Sequence, residues 1–443
     1  MANTKLTRTP SSAGNRQKYT ISFWVKRGSL GNQFLFNTDG GNEETYLRFK
    51  SEDNLQWFEQ NSSAVTQANR STNALFRDIN AWYHIVITRD STLSTANDRL
   101  KFYINGTLIT SWAEDATPAQ NTNTRWNNNV EHMIGVGGSG SSNYFDGLMS
   151  HIHFCDGYAY AASDFGSTDA TTGEWKINTN PSVSYGTNGF FILKNDNGVT
   201  DQSPNSNNFT VSGTLVDYVD NPSNIFCTLN NRMEIPGSTV YNASSEVSNT
   251  NGSHKTIYGS IPFTSGKYYW EAKAKSGSAV KHTIGLSDVR NSYNYRQNSS
   301  ANTIVGKNSN SYGRGDAIGW YYSEINKNGS TFASGVHQIA NNDIMMVACD
   351  ADNGKIYFGV NGTWRVANST TFNASNHDTT FTTGKFYLPA FSNEDCGWFT
   401  NFGNGFFGAT AISSAGTNAS NLGTFEYDVP SGFTALCTKG LNE

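Results

Sequence analysis

Two stretches far apart in the chain share one form: "KFYINGTLIT" at residues 101–110 and "KIYFGVNGTW" at residues 355–364. In the first, Leu100, Phe102 and Ile104 alternate with Arg99, Lys101 and Tyr103. In the second, Ile356, Phe358 and Val360 alternate with Lys355, Tyr357 and Gly359. Period-2 alternation with one apolar face is the mark of a half-buried strand. Each run ends in Asn-Gly, the pair that tolerates positive φ at both central positions of a two-residue type I′ turn. The chain is therefore expected to build two β-rich domains, each holding such a hairpin.

The rest of the sequence agrees with that constraint. Ile21, Phe23 and Val25 share one face of "YTISFWV", with Thr20, Ser22 and Trp24 on the other. Further short strands follow between Gly, Asn and Asp turns, and no helical period persists for three turns. "AASDFG" is expected to form one short helical turn with Ser163 as its cap. Aromatics at 13%, 42 glycines and only 15% charged residues make a sheet-and-turn composition. A length of 443 residues exceeds one ordinary core, so two or three domains are expected. "DNPSN" at 220–224 is the linker candidate, because Asn-Pro starts turns and breaks ladders.

Charge excludes several function classes. Net charge is −5 and no basic cluster is present, which disfavours nucleic-acid partners. No apolar run approaches a membrane span, so no membrane insertion is expected. The N-terminus "MANTKLTRTPSSAGNRQ" lacks the apolar core of a secretory signal. The chain is thus expected to stay in the cell that makes it or to leave by a route other than secretion. Cys155, Cys227, Cys349, Cys396 and Cys437 are odd in number and widely spaced, which points to buried free thiols.

"YTISFWVKR", "WYHIVITRDS", "DRLKFYINGTLIT", "MIGVGG" and "YFDGLMSHIHFCDGYA" together resemble a laminin-G-like, concanavalin-type jelly roll. "SGKYYWEAKA", "HTIGLSD", "YGRGDAIGWYYSE", "NNDIMMVACDADNGKIYFGVNG" and "YLPAFSNEDCGWFTNFG" resemble a SPRY domain, with Asn342-Asp343 standing where that family often has Gly-Asp. The resemblances imply an all-β chain of two tandem antiparallel β-sandwich (jelly-roll) domains. The expected division is 1–166 for the first sandwich, 167–221 for a β-rich extension or connector, and 222–443 for the SPRY-like sandwich. "DFGSTDATTGEWKIN", "SYGTNGFFI" and "GFTALCTKGL" look like segments of large virion surface or fibre proteins of tailed phages of marine bacteria.

Candidate chemistry is sparse. Retaining glycoside hydrolases of concanavalin type need two carboxylates about 5–5.5 Å apart. Glu43 and Glu44 are adjacent and point to opposite faces, and Asp350 and Asp352 occupy a turn, so no catalytic residue is assigned and no enzyme is expected. His151 and His153, with Met149 and Cys155 at the same parity, raise a metal site. Leu148, Ile152 and Phe154 claim the core face, so the histidines are expected on an outer, polar face and no metal site is assigned. The laminin-G resemblance allows calcium on loop carboxylates such as Asp39, Asp98, Asp146 or Asp156. No spacing assigns such a site, and no cofactor is expected. "RGD" at Arg314–Asp316 is expected to be a turn.

Aromatic side chains carry the binding expectation. Aromatic faces cover apolar ligand surfaces and anchor interfaces. Trp112, Trp126 and Tyr144 flank the polar loop of the first domain, and Trp320, Tyr322 and Trp364 lie in the second. Of the consecutive Trp320, Tyr321 and Tyr322, at least one must face away from the core. These six are the candidate ligand-binding residues. The expected function is a non-enzymatic phage virion protein, a tail fibre or adhesin that presents lectin-like loops to host cell-surface polysaccharide. Its expected partners are that glycan and other virion proteins, with a homo-oligomer on the virion surface. The alternatives are a capsid decoration or head-fibre protein and, further off, a glycan-cleaving depolymerase.

Overall fold

A computed structural model describes residues 4–79, 81–194, 198–230, 238–241, 243–250, 252–277, 281–291, 304–307 and 316–442. The chain divides into two compact units. One comprises Met1–Asp217 with Asn221–Ser223, the other Tyr218–Asp220 with Asn224–Glu443. Each is a two-sheet β-sandwich, so the all-β class of tandem antiparallel sandwiches holds. Arg314 and Gly315 of the RGD tripeptide lie outside the described residues.

In the first unit an eight-stranded sheet runs in the order Trp112–Ala116, Thr66–Leu75, Asn54–Gln60, Glu43–Phe49, Gln33–Gly40, His132–Ile134, Lys5–Arg8, Thr210–Ser212. A six-stranded sheet faces it in the order Phe190–Ile192, Gly147–Asp156, Lys18–Arg27, Tyr83–Asp90, Leu100–Ile104, Thr107–Leu108. Alternation builds the core between them. Ile21, Phe23 and Val25 from one sheet meet Leu47, Phe49, Leu55 and Trp57 from the other. The polar stretch after residue 166 contributes to both sheets, because Phe190–Ile192 pairs with Gly147–Asp156 and Thr210–Ser212 pairs with Lys5–Arg8.

The six-stranded sheet is covered on its other face as well. Residues 158–186 fold across it, placing Tyr160, Phe165, Trp175, Val183 and Tyr185 over Val86 and Cys155. Trp24, on the outer face, stacks on His84 at 4.9 Å, and the Trp175 ring lies nearly parallel to that imidazole with ring centres 5.9 Å apart. Strand Lys18–Arg27 is therefore buried on both faces almost throughout. The turn at "AASDFG" is a 3-10 helix over Ala162–Asp164; its cap is not Ser163, because the Asp164 carboxylate accepts the Ala161 N–H at 2.9 Å.

The second unit repeats the architecture. Its larger sheet includes, side by side, Glu246–Asn249, Gly397–Asn401, Lys267–Lys275, Ile344–Asp350, Lys355–Val360 and Thr363–Trp364. The opposing sheet runs Lys255–Tyr258, Tyr387–Glu394, Lys281–Asp288, Ala317–Tyr321, Glu324–Lys327, Ser330–Ser334. Trp270, Val347, Ile356 and Phe358 pack against Ile284, Ile318, Trp320 and Phe391. On the outer face of the larger sheet, Tyr269, Met346, Ala348 and Tyr357 meet Phe425, Val429 and Phe433 of the C-terminal segment. All five cysteines are buried free thiols. Asn342 takes φ +70°, the left-handed region that Gly occupies without steric cost and Asn tolerates.

Both Asn-Gly pairs form the expected turns. Asn105 and Gly106 have φ +46° and +81°, and Asn361 and Gly362 have φ +48° and +81°. The two glycines differ in their surroundings. A Cβ on Gly106 would sit 2.4 Å from the Trp175 ring, whereas one on Gly362 would lie 3.0 Å from the Tyr427 ring. Replacing either by Val is expected to destabilise its unit by at least about 1 kcal/mol, the cost of holding a branched residue in a sparsely populated region. Gly106→Val should be the worse, because Trp175 must also leave its place against His84. Urea midpoints of the two variants test this ranking, and an unshifted midpoint for either would refute the constraint at that turn.

Candidate functional site

In the first unit a groove of about 470 Å³ is lined by residues 12–15, 156–158 and 186–187. Asp156 ends strand Gly147–Asp156 and ties its walls together. One carboxylate oxygen accepts the Asn15 N–H at 2.7 Å and Asn127 Nδ2 at 2.6 Å; the other accepts the Asn188 N–H at 3.0 Å. Asn188 Nδ2 donates in turn to the Ser12 carbonyl at 2.9 Å and to Asn127 Oδ1 at 3.0 Å. The walls approach closely enough that a Cβ on Gly186, at φ +63°, would fall 2.1 Å from the Asp156 carbonyl oxygen. Such satisfied networks hold a binding surface rigid.

Tyr158 stands on the rim of this groove, 42% exposed, stacked on Tyr160 at 5.8 Å with 15° between the ring planes. Around it, the Ser12 and Thr187 side chains are exposed, and Asn15 uses only its carbonyl oxygen, accepting from the Gln17 and Lys18 N–H groups. The Asn15 amide donors and two hydroxyls thus face a pocket with an aromatic wall. That combination suits a ligand with an apolar face and a hydroxyl-rich edge.

The six candidate aromatics do not form one site. Trp126 is 1% exposed and packs edge-on against Phe36, His132 and Phe154. Trp320 is fully buried, with its indole N–H donated to the His337 carbonyl. Both are core residues and offer no face to a ligand; the sandwich needed their volume. Trp112 is half-buried, edge-on to Phe102 and beneath the Arg70 guanidinium, which lies 4.2 Å from its ring centre. Tyr144 is half-buried with its hydroxyl 3.4 Å from the Gly140 carbonyl. Tyr322 is exposed in a turn at φ +54°, the outward member of its aromatic triplet. Trp364 is buried but lines a cavity of the second unit together with Tyr427. Tyr158 was not among the candidates, since nothing in "CDGYAY" separates it from Tyr160 before the loop is folded.

The histidine pair does not assemble a metal site. A bulge between Ser150 and His153, with His151 at φ +48°, resets the register of that strand. Met149 then packs against the core while Cys155 joins the outer cluster, so the four side chains do not share a face. His153 is covered rather than solvated, stacked on Phe191 at 3.9 Å with Nδ1 2.9 Å from the Tyr185 hydroxyl. Among the described residues no three His, Cys, Asp or Glu side chains converge. The four loop aspartates named for calcium are dispersed. Asp39 closes a turn on the Gly41 N–H, Asp98 pairs with Lys101, and Asp156 holds the groove.

Ser22 and His84 form a pair at 2.9 Å that has the outline of a nucleophile and base. The Trp175 indole N–H donates to His84 Nδ1 at 3.0 Å. An indole nitrogen only donates, so Nε2 must carry the proton and donates to Ser22. That tautomer cannot accept the serine proton, and both residues are buried. The carboxylate pairs are likewise engaged: Glu43 with Arg16 and Arg125, Asp350 with Lys267 and the Asn353 N–H, Asp352 with the Gly266 N–H.

Residues 2–163 match the family described as the concanavalin A-like lectin/glucanases superfamily. No curated protein matches the chain. Among solved structures, the chain is similar to the SPRY domain of human HERC1 at 13% identity and a TM-score of 0.28, over 39% of this chain and 96% of that one. It is similar to a putative carbohydrate binding protein from Bacteroides ovatus at 16% identity and a TM-score of 0.30, over 48% of this chain and 56% of that one. Domain 4 of AbnA, a GH43 extracellular arabinanase from Geobacillus stearothermophilus in complex with arabinotriose, is similar at 20% identity and a TM-score of 0.25, over 33% of this chain and 64% of that one.

Proposed function

We propose that the chain is a non-enzymatic glycan-binding protein whose first unit takes a saccharide in the groove beside Tyr158. The observation that carries this reading is the groove itself: an exposed ring beside unengaged hydroxyl and amide groups, on walls held by Asp156, in a unit matched by a lectin/glucanase family. The resemblance of "DFGSTDATTGEWKIN" and its companion segments supports the finer reading, a tail fibre or adhesin on a virion that recognises host surface polysaccharide. On that reading its other partners are virion proteins, including further copies of itself.

Affinity should rest on stacking and neutral hydrogen bonds, and so survive a salt concentration that screens charges beyond about 8–10 Å. Tyr158→Ala is expected to weaken binding of fluorescently labelled protein to host cells about five- to tenfold, in line with about 1–1.4 kcal/mol for an aromatic contact. Its melting temperature should move little, because Tyr158 stands on the rim, 42% exposed, outside the core of the sandwich. Binding that moderate salt abolishes, or that the substitution leaves intact, would overturn the groove assignment. Binding to stripped virions and not to host cells would favour a capsid decoration protein.

A further inference from the structure

The cavity beside Trp364 lies between a hairpin of the larger sheet and the C-terminal segment that covers the outer face of that sheet. One wall is the Asn361-Gly362 hairpin. The other is a strap, residues 413–433, folded back on itself by Gly416 N–H to the Phe425 carbonyl at 2.9 Å and Val429 N–H to the Thr417 carbonyl at 2.8 Å. The Asp428 carboxylate accepts the Thr417 N–H and hydroxyl, closing the strap's outer end. Its inner side is held by Glu271, fully buried in strand Lys267–Lys275. That carboxylate accepts the Glu426 N–H at 2.9 Å and the Tyr427 N–H at 2.8 Å. It also accepts the Tyr269 hydroxyl at 2.8 Å and Asn401 Nδ2 at 3.3 Å. Four donors offset the cost of burying this carboxylate, and two of them are backbone N–H groups of the strap, which it fixes in place.

What it holds is a preformed pocket of about 360 Å³, within the range of about 300–1,000 Å³ usual for small-ligand sites. Trp364, Tyr427 and Met346 give it an apolar side. Thr370 and Ser414 carry exposed hydroxyls, and no described residue bonds the half-buried Glu426 carboxylate. Among the described residues no lysine or arginine lines the pocket. The open polar groups are therefore mainly acceptors for hydroxyl donors, next to rings that suit a C–H face. A phosphate, sulfate or carboxylate would meet Glu426 and Asp428 with no cation to offset them.

We propose that this cavity is a second saccharide site, for an uncharged sugar residue, so that the chain carries one site in each unit. The proposal rests on the glycan-binding reading but uses none of the residues of the Tyr158 groove. Two sites on one chain would raise avidity for a repeating polysaccharide without any new contact.

The test titrates the full chain with a panel of neutral tetrasaccharides (cello-, malto-, manno-, galacto- and arabino-) and reads stoichiometry calorimetrically, with tetragalacturonate as the acidic control. Two sites per chain are expected for at least one neutral probe. Ser414→Trp, a change at an exposed lining position, should fill the cavity and leave one site; Tyr158→Ala should weaken the other about five- to tenfold. Glu426→Gln, which keeps the shape, should weaken the second site at least tenfold. A single site that Tyr158→Ala weakens and Ser414→Trp leaves intact would overturn this inference while the groove stands. A single site with the opposite sensitivities would uphold it and remove the groove. Tetragalacturonate binding the cavity more tightly than the neutral probes, or no binding by any probe, would also overturn it.

Discussion

Lowering the pH from 7 to 4.5 is expected to unfold the first unit while the second stays folded. Four histidines of the first unit are buried in neutral form. Burial draws His84 and His132 down to about 3 and His151 to about 4, and holds His153 well below its ordinary value of 6.5. For two of them the hydrogen bonds reinforce this. His84 Nδ1 accepts an indole N–H and His132 Nε2 accepts the Asn127 backbone N–H at 2.8 Å, so a proton added at either nitrogen would face a donor that cannot turn round.

The sign follows from proton uptake. The unfolded chain takes up these protons near pH 6.5, whereas the folded unit takes up those of His84, His132 and His151 only near 3–4 and that of His153 well below 6.5, so the unfolded state binds more protons below pH 6.5 and stability falls as pH falls. Each group loses about 1.4 kcal/mol per pH unit across that window. Over two units, His84, His132 and His151 together lose about 8 kcal/mol, comparable to the whole stability of a domain at roughly 5–15 kcal/mol, and His153 acts in the same direction.

Among the described residues the second unit shows no set of four such shifts. His282 is also lowered by burial, but Glu271 is raised by burial to about 7 and acts in the opposite sense. Its contribution is complete below the ordinary carboxylate value and is lost as pH rises through 7. Hydrogen exchange read by mass spectrometry, peptide by peptide, separates the units. Protection in residues 4–217 should collapse between pH 6 and 4.5 while peptides from the second sandwich persist. Uniform protection down to pH 4.5 would refute the assignment of these histidines.

None of the four histidines announces this in the sequence, and the reason shows which features are legible. Strand Lys18–Arg27 was readable because Ile21, Phe23 and Val25 alternate with Thr20, Ser22 and Trp24, and both Asn-Gly turns because their φ demands single out that pair. Alternation also implies one solvated face, and there it misleads. Residues 158–186, polar and turn-rich, cover the outer face, so Trp24, His84 and His153 are as buried as the apolar set. No local pattern records a covering segment, since its contacts span tens of residues.

The site was less legible than the fold for a related reason. Trp126 and Trp320 are as aromatic as Tyr158, and only tertiary packing decides which ring remains outside. The bulge at Ser150–His153 is invisible in composition, yet it separates Met149 from Cys155 and dissolves the metal reading. In the sequence Asp156 is one loop carboxylate among several. Its role, bonding segments near residues 15, 127 and 188, depends on partners scattered along the chain.

The same kind of long-range pairing carries the second large expected effect. Arg89 and Glu59 form a buried ion pair, with side-chain exposures of 0% and 2%. The guanidinium donates to both Glu59 oxygens, at 2.8 and 3.0 Å, and to the carbonyls of Arg16, Gln17 and Thr122. Glu59 also accepts the Trp57 indole N–H at 2.8 Å. Arg89→Met keeps the apolar stem but leaves a buried carboxylate and three carbonyls without a charged donor. Breaking one side of such a pair costs about 3–5 kcal/mol. With a urea slope of about 1–3 kcal/mol per molar, the first unit's midpoint should fall by more than 1 M. Adding Glu59→Leu to Arg89→Met should recover part of the loss, since most of the penalty is the uncompensated charge rather than the missing attraction. A single-variant loss under about 1 kcal/mol, or a double variant no better than the single, would show that water reaches the pair and that it is not the buried clasp its geometry describes.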